Sequence, residues 1–161
     1  MAGERAITSA PMTTRNPIAD FIEGIPGNAV LGLQVTEMVD GHGTVVLPFR
    51  PDLTNHVGTV HAMALFGIAD ACSGAALFAG LGDLVAAVAP IARGGEITYR
   101  KPATGAITGR ATVDAEQQAA IRTELDADGV TRPDVVVTMT NEDDVVVAEA
   151  TFHWHIKRTT A

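Results

Sequence analysis

Residues 55–81 read NHVGTVHAMALFGIADACSGAALFAGL, and this stretch predicts the centre of the fold. After Gly58 it has the composition of a helix that is apolar on almost every face. Its polar side chains between positions 59 and 81 are Thr59, His61, Asp70 and Ser73. Such a helix is normally surrounded by its own protein or by lipid. Only twelve residues without charge separate Asp70 from Asp83, whereas a membrane span needs about 20. We therefore expect a buried central helix over about residues 59–80.

This helix has one carboxylate in its middle, that of Asp70. A buried carboxylate without a partner costs several kcal/mol, or its pKa rises until the group is neutral. An acid–base function would account for that cost, so Asp70 is the first catalytic candidate. The alternative is structural, because a helical aspartate can also cap a neighbouring loop.

Composition and charge restrict the possible classes of function. The chain has 161 residues, the size of one domain, and 47% of them are hydrophobic. A net charge of −8 argues against non-specific binding to nucleic acid or to an anionic membrane. Cys72 is the only cysteine, so no disulfide forms within the chain. No segment has the pattern of a secretory signal, and we expect a cytoplasmic protein.

Strands are predicted on both sides of the central helix. Residues 1–15 are small and polar and are expected to form a flexible tail before a single domain at 16–158. Asn16 and Pro17 suit the start of a short helix that ends at Pro26. The predicted strands cover residues 30–39, 44–49, 84–100 (as one bulged strand or two short ones), 107–113, 135–140 and 145–156, with a surface helix at 115–125. This order predicts an α+β fold, in which one antiparallel sheet surrounds one helix.

The spacing of His61 and Asp70 restricts how the two side chains can cooperate. Nine residues at about 100° each place them half a turn out of phase and roughly 13 Å apart along the axis. One straight helix cannot bring both into one small site. Two chains related by a two-fold axis could pair His61 of one with Asp70 of the other, which would give two equivalent sites.

The start of the helix offers donors for a developing negative charge. Gly58 permits a tight turn before it. The first N–H groups, around His61 and Ala62, have no acceptor within the helix and could bind a thioester or ester oxyanion. Asn55 could donate a further hydrogen bond. The structural alternatives are that His61 only bonds to the helix end and that Asn55 only fixes its own loop.

The pattern Asn55-x-x-Gly58-x-x-His61, followed nine residues later by Asp70, resembles the signature of hotdog-fold acyl-CoA thioesterases of the PaaI-like type. That signature is N-x-x-G-x-x-H-G-G followed by L-A-D, and the corresponding text here is NHVGTVHAM and GIAD. Residues 95–105, GEITYRKPATG, resemble the long central strand of the family and its following turn. The resemblance covers about residues 17–157, lies closest to a poorly characterised branch, and implies a curved antiparallel sheet wrapped around the helix.

The resemblance also implies roles for individual residues in hydrolysis of an acyl-CoA to a free acid and coenzyme A. Asp70 would be the general base or nucleophile, and the Ala62 N–H would polarise the thioester carbonyl. Asn55 and His61 would orient that carbonyl or the water. No metal or redox cofactor is implied, because coenzyme A enters only as part of the substrate. We expect a homodimer or a dimer of dimers.

Further residues are candidates for binding the substrate. Gly58 is one of them, and Met63 and Phe66, together with Leu65, would line a mostly apolar tunnel for the acyl chain between subunits. Arg93, Arg100 and Lys101 could meet the phosphates of coenzyme A, although a solvated surface is the alternative for each. His153 and His155 share one face of the last strand, but two ligands at that spacing are a weak metal signal and no metal is assigned.

Two departures from the family pattern keep rival functions open. Ala62 and Met63 replace the two glycines, and Ala92 stands where some members have a water-positioning serine or threonine. One rival is a non-catalytic protein that binds acyl-CoA or lipid. The other is a dehydratase or hydratase of acyl thioesters, which would pair a histidine with a carboxylate.

Overall fold

The computed structural model describes residues 16–159. The expected flexible tail at residues 1–15 lies outside the described residues. The helices are α1 (Pro17–Gly24), α2 (Pro26–Leu31), α3 (Ala62–Leu81) and α4 (Ala115–Asp128). The strands are β1 (Gln34–Val39), β2 (His42–Leu47), β3 (Val88–Tyr99), β4 (Ile107–Thr112), β5 (Val130–Thr131), β6 (Asp134–Thr140) and β7 (Val146–Arg158).

The strands form one curved antiparallel sheet around α3. Its order is β1-β2-β4-β6-β7-β3, with the short β5 also paired to β7. Helix α3 contacts β1, β2, β4, β6 and β7, so it lies across most of the width of the sheet. The α+β prediction, with one antiparallel sheet around one central helix, is confirmed.

Helix α3 packs closely on the sheet because the helix and the sheet both have small residues where they meet. Thirteen of its twenty residues are buried. A Cβ added at Gly43 in β2 would lie 2.5 Å from the backbone nitrogen of Ala76, so the two backbones are in direct contact there. By length and composition, Ala62–Ala87 could cross a membrane, but most of this stretch is buried inside the fold. It is the core helix that the sequence predicts.

Helix α3 begins at Ala62, three residues later than expected. The N–H of Val60 donates to the carbonyl oxygen of Ala103 at 2.8 Å, and the N–H of His61 donates to that of Leu53 at 2.8 Å. These contacts hold residues 60 and 61 in an extended conformation, and the helix can start only after them.

The prediction of a strand from residue 30 was wrong for residues 30–33, which precede β1. Pro26 ends the first helix but also begins α2, since proline suits the first turn of a helix. Gly32, with φ of 70°, ends α2, and β1 starts at Gln34. The turn between β1 and β2 is also tighter than predicted. It consists of Asp40 and Gly41, which both have positive φ, as a two-residue hairpin turn requires.

Strand β3 is one long strand with a bulge, which was one of the two expected alternatives. The strand has twelve residues and pairs with β7 along one edge, except at Arg93, where the register shifts between Ala92 and Gly94. Among the described residues no strand pairs with its other edge. Ile91 and Tyr99 are 58% and 49% exposed, so apolar side chains accompany this open edge.

Candidate active site

His61 is the N-cap of α3. Its Nδ1 accepts a hydrogen bond from the backbone N–H of Met63 at 3.0 Å. An accepting Nδ1 has no proton, so the ring proton is on Nε2 and remains available to a further acceptor. The structural alternative for His61 is therefore realised, and a role as a donor to substrate stays a prediction.

The N–H of Ala62 is the unoccupied donor at this helix end. No acceptor for it lies within residues 16–159, and the residue is exposed. It is the first residue of a twenty-residue helix, where the partial positive charge of the helix dipole is located. The hydroxyl of Tyr99, which the sequence did not single out, lies 3.5 Å from the carbonyl oxygen of Ala62.

Asn55 organises the loop that precedes α3. Its Oδ1 accepts hydrogen bonds from the N–H groups of Val57 at 3.0 Å and Thr59 at 3.1 Å. Its Nδ2 donates to the hydroxyl of Thr59 at 2.8 Å. Gly58 has φ of +79°, which favours glycine and allows the turn. These are the loop-fixing contacts of the structural alternative, and a contact of Asn55 or Gly58 with substrate stays a prediction.

Asp70 has a half-buried carboxylate without a hydrogen-bond donor among residues 16–159. Burial raises the pKa of this carboxyl above its ordinary value. Ser73 donates to the backbone carbonyl oxygen of Asp70 at 2.8 Å, not to its carboxylate. The Ser73 hydroxyl in turn accepts from the Trp154 indole N–H at 3.2 Å. The carboxylate is thus partly desolvated and has no protein donor among residues 16–159, which is typical of a catalytic base.

An apolar pocket lies on the same side of α3. Met63, Gly67 and Asp70 occupy positions i, i+4 and i+7, which fall on one helix face. The pocket has a volume of about 390 Å³, and its lining residues are Gly27, Asn28, Val30, Leu31, Met63, Phe66 and Gly67. Met63 and Phe66 therefore meet in one pocket, whereas Leu65 is buried in the core. Helix α2 forms the opposite wall, and sequence reasoning missed it because residues 30–31 resembled a strand.

One chain does not bring Asp70 and the Ala62 N–H to the same point. Eight helical residues separate them, which corresponds to roughly 12 Å along the axis. Both groups would have to contact one thioester carbonyl and its attacking water, so they cannot belong to the same site within one copy.

The three basic candidates also lie apart. Arg100 forms an ion pair with Glu149, with Nε and Oε2 2.7 Å apart. Arg93 lies on the outer face of the sheet, the face turned away from α3, and Lys101 is exposed just beyond β3. Seven residues of an extended strand separate Arg93 from Arg100, or roughly 23 Å. These two cannot hold the same phosphate.

Cys72, His153 and His155, the remaining candidates for a reactive thiol or a metal site, do not form such a site among the described residues. Burial raises the pKa of the Cys72 thiol to about 12, so this cysteine stays neutral and packs in the core. Among residues 16–159 no group of three or more His, Cys, Asp or Glu side chains is placed to hold a metal ion. His153 and His155 lie on the outer face, while Phe152, Trp154 and Ile156 point to the core.

Comparison with known proteins places this geometry in context. Residues 23–156 match the family described as Domain of unknown function (DUF4442). No curated protein matches the chain. The solved structure of PA5026 from Pseudomonas aeruginosa, described as a protein of unknown function and probable thioesterase, has 26% identity and a TM-score of 0.79. The match covers 88% of this chain and 93% of that one.

Two further solved structures are similar in fold. The PaaI protein from the phenylacetic acid degradation operon of E. coli has 16% identity and a TM-score of 0.63, with 88% of this chain and 90% of that chain covered. A thioesterase family protein from Silicibacter pomeroyi has 18% identity and a TM-score of 0.67, with 87% and 95% covered. These neighbours are hotdog-fold thioesterase family proteins, so the fold implied by the motif is confirmed.

Proposed function

This chain belongs to the DUF4442 family, and from that membership and its hotdog fold we propose that it is a thioesterase that hydrolyses acyl-CoA to a free acid and coenzyme A. The description of PA5026 as a probable thioesterase supports the reaction class. The observation that supports the mechanism most directly is the Asp70 carboxylate, which is half-buried and without a donor among the described residues. Asp70 also lies one helical turn after Gly67, which lines the apolar pocket.

In this mechanism Asp70 takes a proton from water, and the resulting hydroxide attacks the thioester carbonyl carbon. The oxygen of that carbonyl becomes negatively charged and accepts a hydrogen bond from the Ala62 N–H. The C–S bond then breaks, and the coenzyme A thiolate receives the proton that Asp70 held. Burial raises the pKa of Asp70 and so makes it a stronger base. Direct attack by the Asp70 carboxylate on the carbonyl carbon is the alternative, and it would form a mixed anhydride as the C–S bond breaks and the coenzyme A thiolate leaves. Water attacking the Asp70 carbonyl carbon of that anhydride would release the free acid and leave one solvent oxygen in the Asp70 carboxyl.

The mechanism requires two copies of the chain. Asp70 and the Ala62 N–H are roughly 12 Å apart along one helix, so each site would combine Asp70 of one copy with Ala62 of another. The open edge of β3 supports this arrangement, because native proteins normally cover or pair a long edge strand. Two β3 strands meeting antiparallel about a two-fold axis would give a homodimer with two equivalent sites. We further propose that two such dimers associate, that the protein is cytoplasmic, and that hydrolysis needs no cofactor.

The pocket beside Phe66 fits an uncharged apolar acyl group. Among the described residues that line it, only Asn28 has a polar side chain, and the Nδ2 of Asn28 already donates to the carbonyl oxygen of Ile22 at 2.9 Å. A charged or hydroxylated acyl group would lose its hydration there without gaining a partner. Aliphatic and unsubstituted aromatic acyl groups are therefore the proposed class.

The test is release of coenzyme A thiol from a panel of short, long and aromatic acyl-CoAs. Asp70→Asn should lower kcat about 10²- to 10⁴-fold, the usual contribution of a general base. Asp128→Asn removes an exposed carboxylate on α4 and serves as the matched control, with turnover unchanged. Equal turnover by wild type and Asp70→Asn would refute the role of Asp70.

A non-catalytic acyl-CoA-binding protein is the second candidate, and Ala92 favours it. Ala92 pairs with Trp154 in the sheet and offers only a methyl group where some family members have a water-positioning hydroxyl. This candidate predicts tight binding of an acyl-CoA and no thiol release from any. The hydratase alternative has less support, because the histidine–carboxylate hydrogen bond within residues 16–159 joins His153 to Asp134, on the outer face.

A further inference from the structure

The outer face of the sheet contains a second pocket, distinct from the one beside Phe66. It has a volume of about 270 Å³, and its lining residues are Arg93, Arg132, Asp134, His153, Trp154 and His155. It shares no lining residue with the apolar pocket at the start of α3. The two pockets also differ in composition, since the outer-face pocket is lined by two arginines and two histidines, whereas the pocket beside Phe66 is mostly apolar.

A bulge in β3 places Arg93 at this pocket. Ala92 pairs with Trp154 of β7, and Gly94 pairs with the preceding residue, His153. Arg93 is therefore the extra residue of β3, without a partner in the ladder. Bulges redirect side chains and are frequent next to functional sites.

A second interruption places Arg132 on the other side of β7. Thr131 at the end of β5 pairs with Ile156, and Asp134 at the start of β6 pairs with His153. Arg132 lies in the break between these two pairings. Both edges of β7 are thus irregular at the same level, and each irregularity brings an arginine to the pocket.

The charges of the pocket are not neutralised within the described chain. Neither the Arg93 nor the Arg132 guanidinium has an ion-pair or hydrogen-bond partner among residues 16–159. The one carboxylate of the lining, that of Asp134, lies 2.7 Å from Nδ1 of His153. Because the whole chain has a net charge of −8, two unpaired cations lining one pocket are a local exception to an acidic surface.

We propose that this outer-face pocket binds a phosphate group through Arg93 and Arg132, with His155 as a further donor. Guanidinium groups match the oxygens of a phosphate in a bidentate geometry, and charge-assisted hydrogen bonds are the strong ones. At about 270 Å³ the pocket is below the usual range for whole small-molecule ligands, roughly 300–1,000 Å³. It accommodates a phosphate group and not an entire nucleotide. The phosphate belongs either to coenzyme A, in which case this site rests on the proposed function, or to a separate phosphorylated metabolite.

Calorimetric titration with inorganic phosphate tests the site without any turnover. Arg93→Gln and Arg132→Gln should each weaken phosphate binding about tenfold or more, the effect of losing hydrogen bonds to a charged group. Arg110→Gln is the matched control, since Arg110 is exposed on β4 and donates to Thr140 outside the pocket. Phosphate binding should be unchanged in that control. Absence of phosphate binding to wild type, or equal weakening in all three variants, would overturn the proposal.

Coenzyme A and dephospho-coenzyme A, which lacks the 3′-phosphate, distinguish the two sources. Tighter binding of coenzyme A, with that advantage lost in Arg132→Gln, assigns the pocket to the 3′-phosphate. Equal binding of the two, with both weakened by Arg132→Gln, assigns the pocket to the pyrophosphate of coenzyme A. Equal binding that Arg132→Gln leaves unchanged, with inorganic phosphate still sensitive to that variant, assigns it to a separate phosphorylated metabolite. Asp70→Asn should bind phosphate as wild type does, so failure of the thioesterase proposal and failure of this one give different results.

Discussion

Nδ1 of His61 accepts the backbone N–H of Met63 at 3.0 Å, and this contact caps the central helix. It also fixes the tautomer, because an accepting Nδ1 leaves the proton on Nε2. One side chain thus combines a structural acceptor with a donor that is available to substrate. Substitutions that remove one property and keep the other can separate the two roles.

His61→Ala and His61→Asn should differ in stability and agree in activity. Loss of the cap in His61→Ala should lower the free energy of unfolding by about 0.5–2 kcal/mol. Asparagine is a preferred N-cap and should restore most of that loss, but it cannot replace the Nε2–H donor. Thermal unfolding and kcat/KM for thiol release check both points. Full activity of His61→Asn would show that the histidine acts only as a cap.

Asp70→Asn should be more stable than wild type at neutral pH. Burial raises the pKa of Asp70 above its ordinary 3.8, so the native state keeps a proton that the unfolded state has lost. The stability of wild type therefore falls as pH rises from about 3.8 through the native pKa, and the loss persists above it. The Tm of Asp70→Asn should exceed that of wild type by a few degrees at pH 7, and the difference should disappear in acid. A lower Tm of Asp70→Asn at pH 7 would contradict the prediction.

Protonation of His153 should depend on Asp134. The hydrogen bond to Asp134 and its negative charge raise the pKa of His153 above 6.5, with a smaller contribution from Glu96. The stabilising contact is fully present below pH 6.5 and is lost as pH rises through the native pKa. Titration of His153 by NMR should show this raised pKa, and Asp134→Asn should lower it. An unchanged titration in that variant would contradict the assignment.

Gly43→Ala should destabilise the fold through backbone contact. The added Cβ would lie 2.5 Å from the backbone nitrogen of Ala76, so α3 would have to move away from β2. Overpacking of this kind typically costs about 1–3 kcal/mol, and each kcal/mol lowers Tm by about 2–4 °C in a protein of this size. Gly24→Ala is the control, because its Cβ would meet no heavy atom within 4 Å. Equal Tm values for the two variants would disprove the close packing.

Much of the fold was predictable because its signals are local in the chain. A stretch of mostly apolar residues predicts a helix that something must surround. Asp40 and Gly41 suit a tight turn, and alternation over residues 145–156 predicts a half-buried strand. The spacing of Asn55, Gly58, His61 and Asp70 pointed to the hotdog fold. The spacing of His61 and Asp70 indicated that two copies could combine into one site, and this stays a prediction.

The tertiary structure decided what depends on contacts between distant residues. The start of α3 is set by hydrogen bonds from Val60 and His61 to other loops, which no local pattern reveals. Arg100 pairs with Glu149, 49 residues away, and is thereby occupied. Arg93 and Arg132 line one pocket only through the register of β3 and β6 on either side of β7. Sequence alone determined most of the elements, but not α2, and it named the catalytic candidates, because periodicity and composition act within a few residues. Strand register and helix docking join residues far apart in the chain, and therefore only the folded structure determined which charges meet in a pocket.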